Sequence, residues 1–175
     1  MTRSWWLALA CTLLPGSALA CSCLAKASLV DKLDPDDAVV LVRLDSIRAE
    51  RSCASNGLCM PIQVAEYTLV ESLQGNPPTY APLASGYGGG NCGVPLIAGA
   101  EYIAVLAPGS RGLGSCNSAG PFPPAEYRDP RDQQAMRDYL DALQRRMEGA
   151  DVPSVSPPRT LAFDYLPPPP PPPEK

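Results

Sequence analysis

Runs of apolar residues predict a chain built mainly from β-strands. Residues 39–47 are rich in β-branched and aliphatic side chains on both faces near their start, which favours a strand of a closed sheet. Residues 62–73 alternate between apolar and polar, as a half-buried strand does. A third clear strand is predicted at 101–107, and shorter ones at 80–84 and 113–118.

The segment between the first two strands is predicted as a loop. Residues 51–60 are rich in turn-forming residues and contain Asn56-Gly57. Cys53 and Cys59 bracket this turn, and their short spacing indicates a local disulfide.

One α-helix is predicted, at about 130–148. Asp129 is a suitable N-cap, and Pro130 fits the first helical position. Apolar residues then recur at helical spacing: Met136, Tyr139, Leu140, Leu143 and Met147. This stripe is expected to pack on the sheet. Several short strands, one late helix and disulfides together predict a small β-barrel with an appended helix.

The first 20 residues predict a cleavable signal peptide. Arg3 supplies the positive start, and residues 5–14 form a mostly apolar run too short to span a bilayer. Small residues precede the predicted cut, which lies between Ala20 and Cys21. Cys21 is therefore expected to begin a secreted or periplasmic protein, with no transmembrane segment in the mature chain.

The mature chain divides into a domain at 21–150 and a tail at 151–175. The tail is rich in proline, and residues 167–173 are seven consecutive prolines. Such a run forms a polyproline II helix of about 20 Å, at about 3.1 Å per residue. A disordered tail or spacer is the main interpretation, and binding to a proline-recognising partner is the alternative.

Charge and composition narrow the class of function. The whole chain has a net charge of −4, and removing Arg3 with the signal peptide leaves −5. This balance argues against a nucleic-acid partner, which would call for a basic patch. The chain has no histidine and no Cys-x2-Cys pair, so neither a zinc site of its own nor a histidine-based active site is expected. No cofactor is predicted.

Six cysteines remain after removal of Cys11: Cys21, Cys23, Cys53, Cys59, Cys92 and Cys116. An even number behind a signal peptide indicates a disulfide framework, and six cysteines allow 15 connectivities.

The acidic residues do not indicate a catalytic site. Asp34, Asp36 and Asp37 are interpreted as an ordinary turn before the first strand. Glu66 and Glu101 lie at strand positions and are expected to face solvent. Without a nucleophile–base pair, the chain is not predicted to be an enzyme.

Short motifs along the domain resemble those of netrin-like modules, in the same order: Cys21-Ser22-Cys23, Leu73-Gln74-Gly75, Asn91-Cys92-Gly93, Gly99-x-x-Tyr102 and Ser115-Cys116. The set is most similar to the inhibitory domain of tissue inhibitors of metalloproteinases and covers about residues 21–148. The resemblance implies a five-stranded OB-type barrel with flanking helices. It also implies two long-range disulfides, Cys21–Cys92 and Cys23–Cys116, which leave Cys53–Cys59 as the local pair.

The resemblance further implies an inhibitory chemistry at the mature N-terminus. The α-amine and carbonyl oxygen of Cys21 would chelate the catalytic zinc of a target metallopeptidase. They would displace the water that the target needs for hydrolysis. Ser22 would enter the specificity pocket of the target, and Leu24 would add an apolar contact beside it.

Two other functions stay open. The chain lacks the further early cysteine and the C-terminal subdomain of the animal inhibitors, so it is alternatively a non-inhibitory netrin-like interaction module. A lipid anchor at Cys21 is a second alternative, because residues 19–21 partly resemble a lipobox. That motif prefers leucine where Ala18 stands. Acylation would block both the amine and the thiol of Cys21, so it excludes the chelate.

Overall fold

A computed structural model describes residues 29–30, 33–76, 82–87, 92–153, 155 and 157–161. The predicted signal peptide, the Cys21-Ser22-Cys23 motif and the polyproline run lie outside these residues. The described elements are five strands and one α-helix, with a 3-10 turn before the helix: β1 (Ala38–Cys53), β2 (Cys59–Gln74), β3 (Leu83–Gly86), β4 (Glu101–Leu106), β5 (Ser118–Phe122), the turn Ala125–Tyr127 and α1 (Pro130–Met147).

The five strands form one sheet in the order β3-β2-β1-β4-β5, and all neighbouring strands are antiparallel. β2 follows β1 along its full length, whereas β4 pairs only with its first part, from Ala38 to Arg43. The sheet is not closed by a continuous ladder. A single parallel bridge between Ala84 and Gly112 joins the outer edge of β3 to the segment before β5. The mainly β fold with one late helix is thus confirmed.

The first part of β1, from Ala38 to Leu44, is buried on both faces, as its sequence predicts. Val40, Val42 and Leu44 belong to one apolar cluster, which also contains residues from β2, β3 and β4. Val39 and Leu41 point to the opposite face and belong to a second cluster. All five side chains are at most 3% exposed. β1 therefore lies between two halves of the core.

α1 covers the second of these clusters. The Asp129 carboxylate accepts hydrogen bonds from the backbone N–H groups of Asp132 and Arg131, at 2.9 and 2.8 Å, which lower the pKa of Asp129. The predicted apolar stripe packs on the sheet, as expected: Met136, Tyr139, Leu140, Leu143 and Met147. Within the described ranges, no helix is both long and apolar enough to cross a membrane.

The loop between β1 and β2 is shorter than predicted. The sequence predicts a loop at 51–60, but the ladder continues until Cys53 faces Cys59, and only 54–58 lie outside the strands. The predicted disulfide joins these two facing cysteines, whose Cα atoms are 3.9 Å apart. The side chain of Asn56 closes the turn by accepting a hydrogen bond from the N–H of Leu58 at 3.0 Å. The pairing of β1 with β2 therefore continues as far as the disulfide, through residues whose composition is typical of turns.

The positions predicted for β3 and β5 are partly wrong. β3 covers Leu83–Gly86, whereas the predicted strand ends at residue 84, and its first two residues, 80 and 81, lie outside the described residues. β5 covers Ser118–Phe122 rather than 113–118. Asn117 explains the second difference, because its side-chain amide donates to the carbonyl of Gly112 at 2.8 Å. Its carboxamide oxygen accepts from the N–H of Gly114 at 2.7 Å. These bonds keep the residues of the predicted strand in a turn instead of an extended strand.

Glu101 does not face solvent, which corrects the expectation from the sequence. It forms an ion pair with Arg128, and the two side chains are 3% and 6% exposed. Glu101 also accepts a hydrogen bond from the N–H of Ala125 at 3.2 Å. Arg128 Nε donates to the carbonyl of Pro123 at 2.7 Å. The pair ties the start of β4 to the segment that leads into α1.

The chain continues to contact the domain beyond the helix. Val152 is buried, and its carbonyl accepts a hydrogen bond from Arg146 at 2.9 Å. Leu161 donates its backbone N–H to the carbonyl of Pro121 at 2.9 Å and packs against the first apolar cluster. The segment after α1 thus returns to the end of β5.

We predict that Arg128→Met destabilises the protein by about 3–5 kcal/mol, because it leaves the buried carboxylate of Glu101 without its counter-charge. Urea unfolding measures this change. Arg48→Met is the matched control, since it removes an ion pair with Glu66 at 2.8 Å in which both side chains are exposed, as expected for Glu66. The control should lose much less stability. Equal losses in the two variants would contradict the structural role of the buried pair.

Candidate functional site

Two disulfide-bonded cysteines lie on neighbouring surface segments. Cys92 and Cys116 are both exposed, and each is in a disulfide. An antiparallel bridge pairs Gly93 with Gly114, and the N–H of Ser115 donates to the carbonyl of Cys92 at 2.9 Å. We name these two paired segments the cysteine platform: residues 92–94 and 114–116. It is the place where the structure brings together motifs that are distant in sequence.

Close backbone contact fixes the first segment of the platform against the end of β3. A Cβ atom on Gly93 would lie 2.2 Å from the carbonyl oxygen of Gly86, so only glycine allows this approach. Cys92 has a φ of 55°, in the left-handed region that non-glycine residues seldom adopt. The direction of the Cys92 side chain is therefore set by a constrained backbone.

Ser85 links the same segment to the sheet, and sequence reasoning missed it. Ser85 lies in β3 and is buried. Its hydroxyl accepts a hydrogen bond from the N–H of Val94 and donates to the carbonyl of Val94, both at 2.8 Å. One small polar residue in a short strand carries no distinctive signal, because its partner is known only from the fold.

Tyr102 holds the loop that leads from the platform to β4. Its hydroxyl accepts a hydrogen bond from the N–H of Ile97 at 3.1 Å and donates to the carbonyl of Pro95 at 2.9 Å. The side chain is fully buried, and this burial raises the pKa of Tyr102, so the hydroxyl stays a donor. Gly99 supplies the turn with a φ of 83°. The Gly99-x-x-Tyr102 motif therefore serves to position the loop.

Asn117 performs the corresponding task for the second segment. Besides its bonds within the turn, its side chain donates to the carbonyl of Val105 in β4 at 3.0 Å. The N–H of Val105 in turn donates to the backbone carbonyl of Asn117 at 2.8 Å. The segment that contains Cys116 is thus fixed to β4 directly before β5 begins.

The motif Leu73-Gln74-Gly75 lies at the end of β2, next to the turn formed by the aspartates. The Gln74 side chain donates to the carbonyl of Asp37 at 3.4 Å, and a Cβ on Gly75 would lie 3.0 Å from the same oxygen. The N–H of Asp37 donates to the carbonyl of Asp34 at 3.0 Å, which confirms the predicted turn. Among the described residues, no cluster of three or more histidine, cysteine or acidic side chains is placed to hold a metal.

The residues predicted to contact a target lie outside the described residues: Cys21, Ser22 and Leu24. Cys23 lies outside them as well. The pairings Cys21–Cys92 and Cys23–Cys116 therefore stay predictions, although the described end of each pairing is in a disulfide.

Comparison of the chain with protein-family models and with curated proteins finds no match. Function must therefore be inferred from the platform and from the motifs of the sequence.

We predict that Gly93→Ala destabilises the protein by about 1–3 kcal/mol, the usual range for overpacking, because the added methyl group meets a backbone carbonyl. Urea unfolding and the amide chemical shifts of β3 measure the effect. Gly112→Ala is the control, since its Cβ would find its nearest neighbour, the Ser110 hydroxyl, at 4.0 Å. A Gly93→Ala protein as stable as the Gly112→Ala protein would show that the contact does not constrain the platform.

Proposed function

We propose that the mature protein is a secreted inhibitor of zinc metallopeptidases that presents its N-terminus from the cysteine platform. The observation that carries this proposal is the adjacency of two exposed, disulfide-bonded cysteines, Cys92 and Cys116, on hydrogen-bonded segments. Cys21 and Cys23 are one residue apart in the sequence. Two bridges to neighbouring segments would suit that spacing.

The number of cysteines supports the same pairing. With the local disulfide at the end of β1 set aside, four cysteines of the mature chain remain: Cys21, Cys23, Cys92 and Cys116. Pairing each N-terminal cysteine with one platform cysteine leaves no thiol free. Two such bridges would hold the N-terminal tripeptide rigidly, so little conformational entropy would be lost when it docks.

The same count disfavours a lipid anchor at Cys21. Acylation would consume its thiol and leave the mature chain with three cysteines outside the local disulfide. Cys92 and Cys116 are both disulfide-bonded. If Cys21 were acylated, Cys92 and Cys116 would have two ways to form disulfides in the mature protein. They could pair with each other, or one could pair with Cys23 and the other with a cysteine of a second molecule.

The fold within this proposal is a partly open OB-type barrel. The strand order and the antiparallel pairs are those of such a barrel, a five-stranded Greek-key sheet. The closing contact is supplied at Ala84, whose N–H donates to the carbonyl of Arg111 and whose carbonyl accepts from Leu113, both at 2.7 Å. These bonds join the outer edge of β3 to the segment before β5 over a short distance.

The inhibitory chemistry follows from the ligand set of the target. A catalytic zinc has three protein ligands and an open position that water occupies. The neutral α-amine and the carbonyl oxygen of Cys21 form a five-membered chelate ring on that zinc and displace the water. Without the water, hydrolysis loses its nucleophile. On this proposal, Ser22 would point into the pocket next to the zinc, and Leu24 would contact the apolar surface beside it.

We predict that adding one alanine before Cys21 abolishes inhibition, because the chelating nitrogen becomes an amide. Carbamylation of the α-amine should do the same. The measurement is the inhibition constant against a panel of zinc metallopeptidases. An alanine added after Lys175 is the control and should change nothing. Circular dichroism and non-reducing peptide mapping check that the fold and the disulfides are intact.

An extended protein that inhibits as well as the native one would overturn the chelate. A native protein that is inactive against the whole panel would favour the non-inhibitory interaction module. Peptide mapping that links Cys21 to Cys23 would remove the proposed attachment to the platform.

A separate prediction concerns Ser22, whose side chain is proposed to enter the target pocket. Ser22→Gly should keep the chelate and give weaker, more uniform inhibition. Ser22→Arg should be rejected by apolar pockets, because burial of an unpaired charge is costly. Inhibition constants against two unrelated metallopeptidases measure both effects. Equal constants for the native protein and both variants would mean that Ser22 lies outside the interface.

A further inference from the structure

A groove lies between the start of α1 and the segment that returns after it. It has a volume of about 670 Å³, and its apolar side is formed by prolines, a tyrosine and a leucine: Pro123, Pro124, Tyr127 and Leu161. Tyr127 is 78% exposed, more than any other large apolar side chain of the described chain. The groove therefore has an aromatic ring at its surface and a floor that continues into the core.

Charged groups also line the groove. Arg159 donates two hydrogen bonds to the carboxylate of Asp132, at 3.0 and 3.1 Å, and lies 3.6 Å from Asp129. Leu161 is fixed at the floor by its hydrogen bond to the carbonyl of Pro121. The groove is therefore built between anchored segments.

Several polar groups that line the groove can donate hydrogen bonds. They include the hydroxyls of Tyr127 and Thr160 and the N–H groups of Arg159 that do not bond to Asp132. The carboxylate of Asp132 is already engaged by Arg159. A ligand that offers hydrogen-bond acceptors and packs against aromatic and proline rings would therefore suit the groove.

A polyproline II helix has this chemistry. Proline has no N–H group, so each residue offers only its carbonyl oxygen. The helix makes no internal hydrogen bonds and is already ordered, so it docks on aromatic-lined grooves with little loss of entropy.

We propose that this groove is the docking site of the chain's own polyproline run, residues 167–173. Leu161 lines the groove, and residues 162–166 are all that separates it from Pro167. Six residue steps span up to about 20 Å when extended, which is enough to include a four-residue turn that reverses the chain. A linker this short gives an effective concentration on the order of millimolar, which favours this segment over a proline-rich peptide from another protein. The inference does not depend on the proposed inhibition.

The test uses the absence of tryptophan from the mature chain, since Trp5 and Trp6 lie in the predicted signal peptide. Tyr127→Trp then provides a single reporter at the groove. Its emission is compared in residues 21–175, in a chain ending at Leu166, and in a full-length chain in which residues 167–173 alternate serine and glycine. We expect a shorter emission wavelength and weaker acrylamide quenching only with the native prolines, at every protein concentration.

A synthetic peptide of seven prolines followed by Glu-Lys completes the experiment. It should restore the shorter wavelength in the chain ending at Leu166. Its apparent Kd should be at least about tenfold higher for the full chain, because the tethered prolines compete for the groove. Tyr87→Trp is the control at another exposed tyrosine, 52% exposed, and should respond to neither change. Circular dichroism checks that all variants are folded.

Each contrary result overturns the proposal. Identical emission from the three chains would show that the prolines do not reach the groove. A shift that appears only at high protein concentration would assign the groove to the tail of a second copy. A shift retained with serine and glycine would show that polyproline is not the recognised structure.

Discussion

Burial of the first part of β1 on both faces is the constraint that organises this domain. A strand with valine and leucine on both sides must be covered twice, and its central place in the sheet order allows this. α1 covers one side. On the other side, residues of β2, β3, β4 and the loop before β4 pack against the same strand, and Tyr102 belongs to that cluster. Leu113, in the segment before β5, belongs to it as well, next to the bridge between Ala84 and Gly112. Covering this second face therefore brings the outer edge of β3 close to the segment before β5.

The cysteine platform is attached to strands that take part in covering this second face, β3 and β4. Its first segment contacts the end of β3 through Gly93 and Ser85, and its second segment is fixed to β4 through Asn117. These contacts use backbone groups and short polar side chains, which have little freedom to move. They therefore hold the platform against the sheet at several points. Cys92 and Cys116 are then two defined attachment points at the surface. Their disulfides are attached to a surface that the sheet itself orients.

Sequence patterns predicted those parts of the fold that local residues determine. The helix has an N-cap, a first-turn proline and a regular apolar stripe. β1 and β4 have apolar runs, and β2 alternates between apolar and polar residues. β5 was misplaced because Ser118–Phe122 contains glycine and proline, and its pairing with β4 decides its structure. The burial of Glu101 was missed because its partner Arg128 is 27 residues away. At the candidate site, the order of the sequence motifs predicted that both platform cysteines are in disulfides. Nothing in the sequence near Ser85 predicted its contact with Val94.

Within the proposed function, removal of the signal peptide is a chemical step that creates the inhibitor. Before the cut after Ala20, the nitrogen of Cys21 is an amide and cannot occupy the open position of a zinc ion. After the cut it is an amine, and its neutral form is a good zinc ligand. On this proposal, the platform would determine where that amine is held, and export would determine when it exists. The precursor would then be inert toward metallopeptidases until the cut is made.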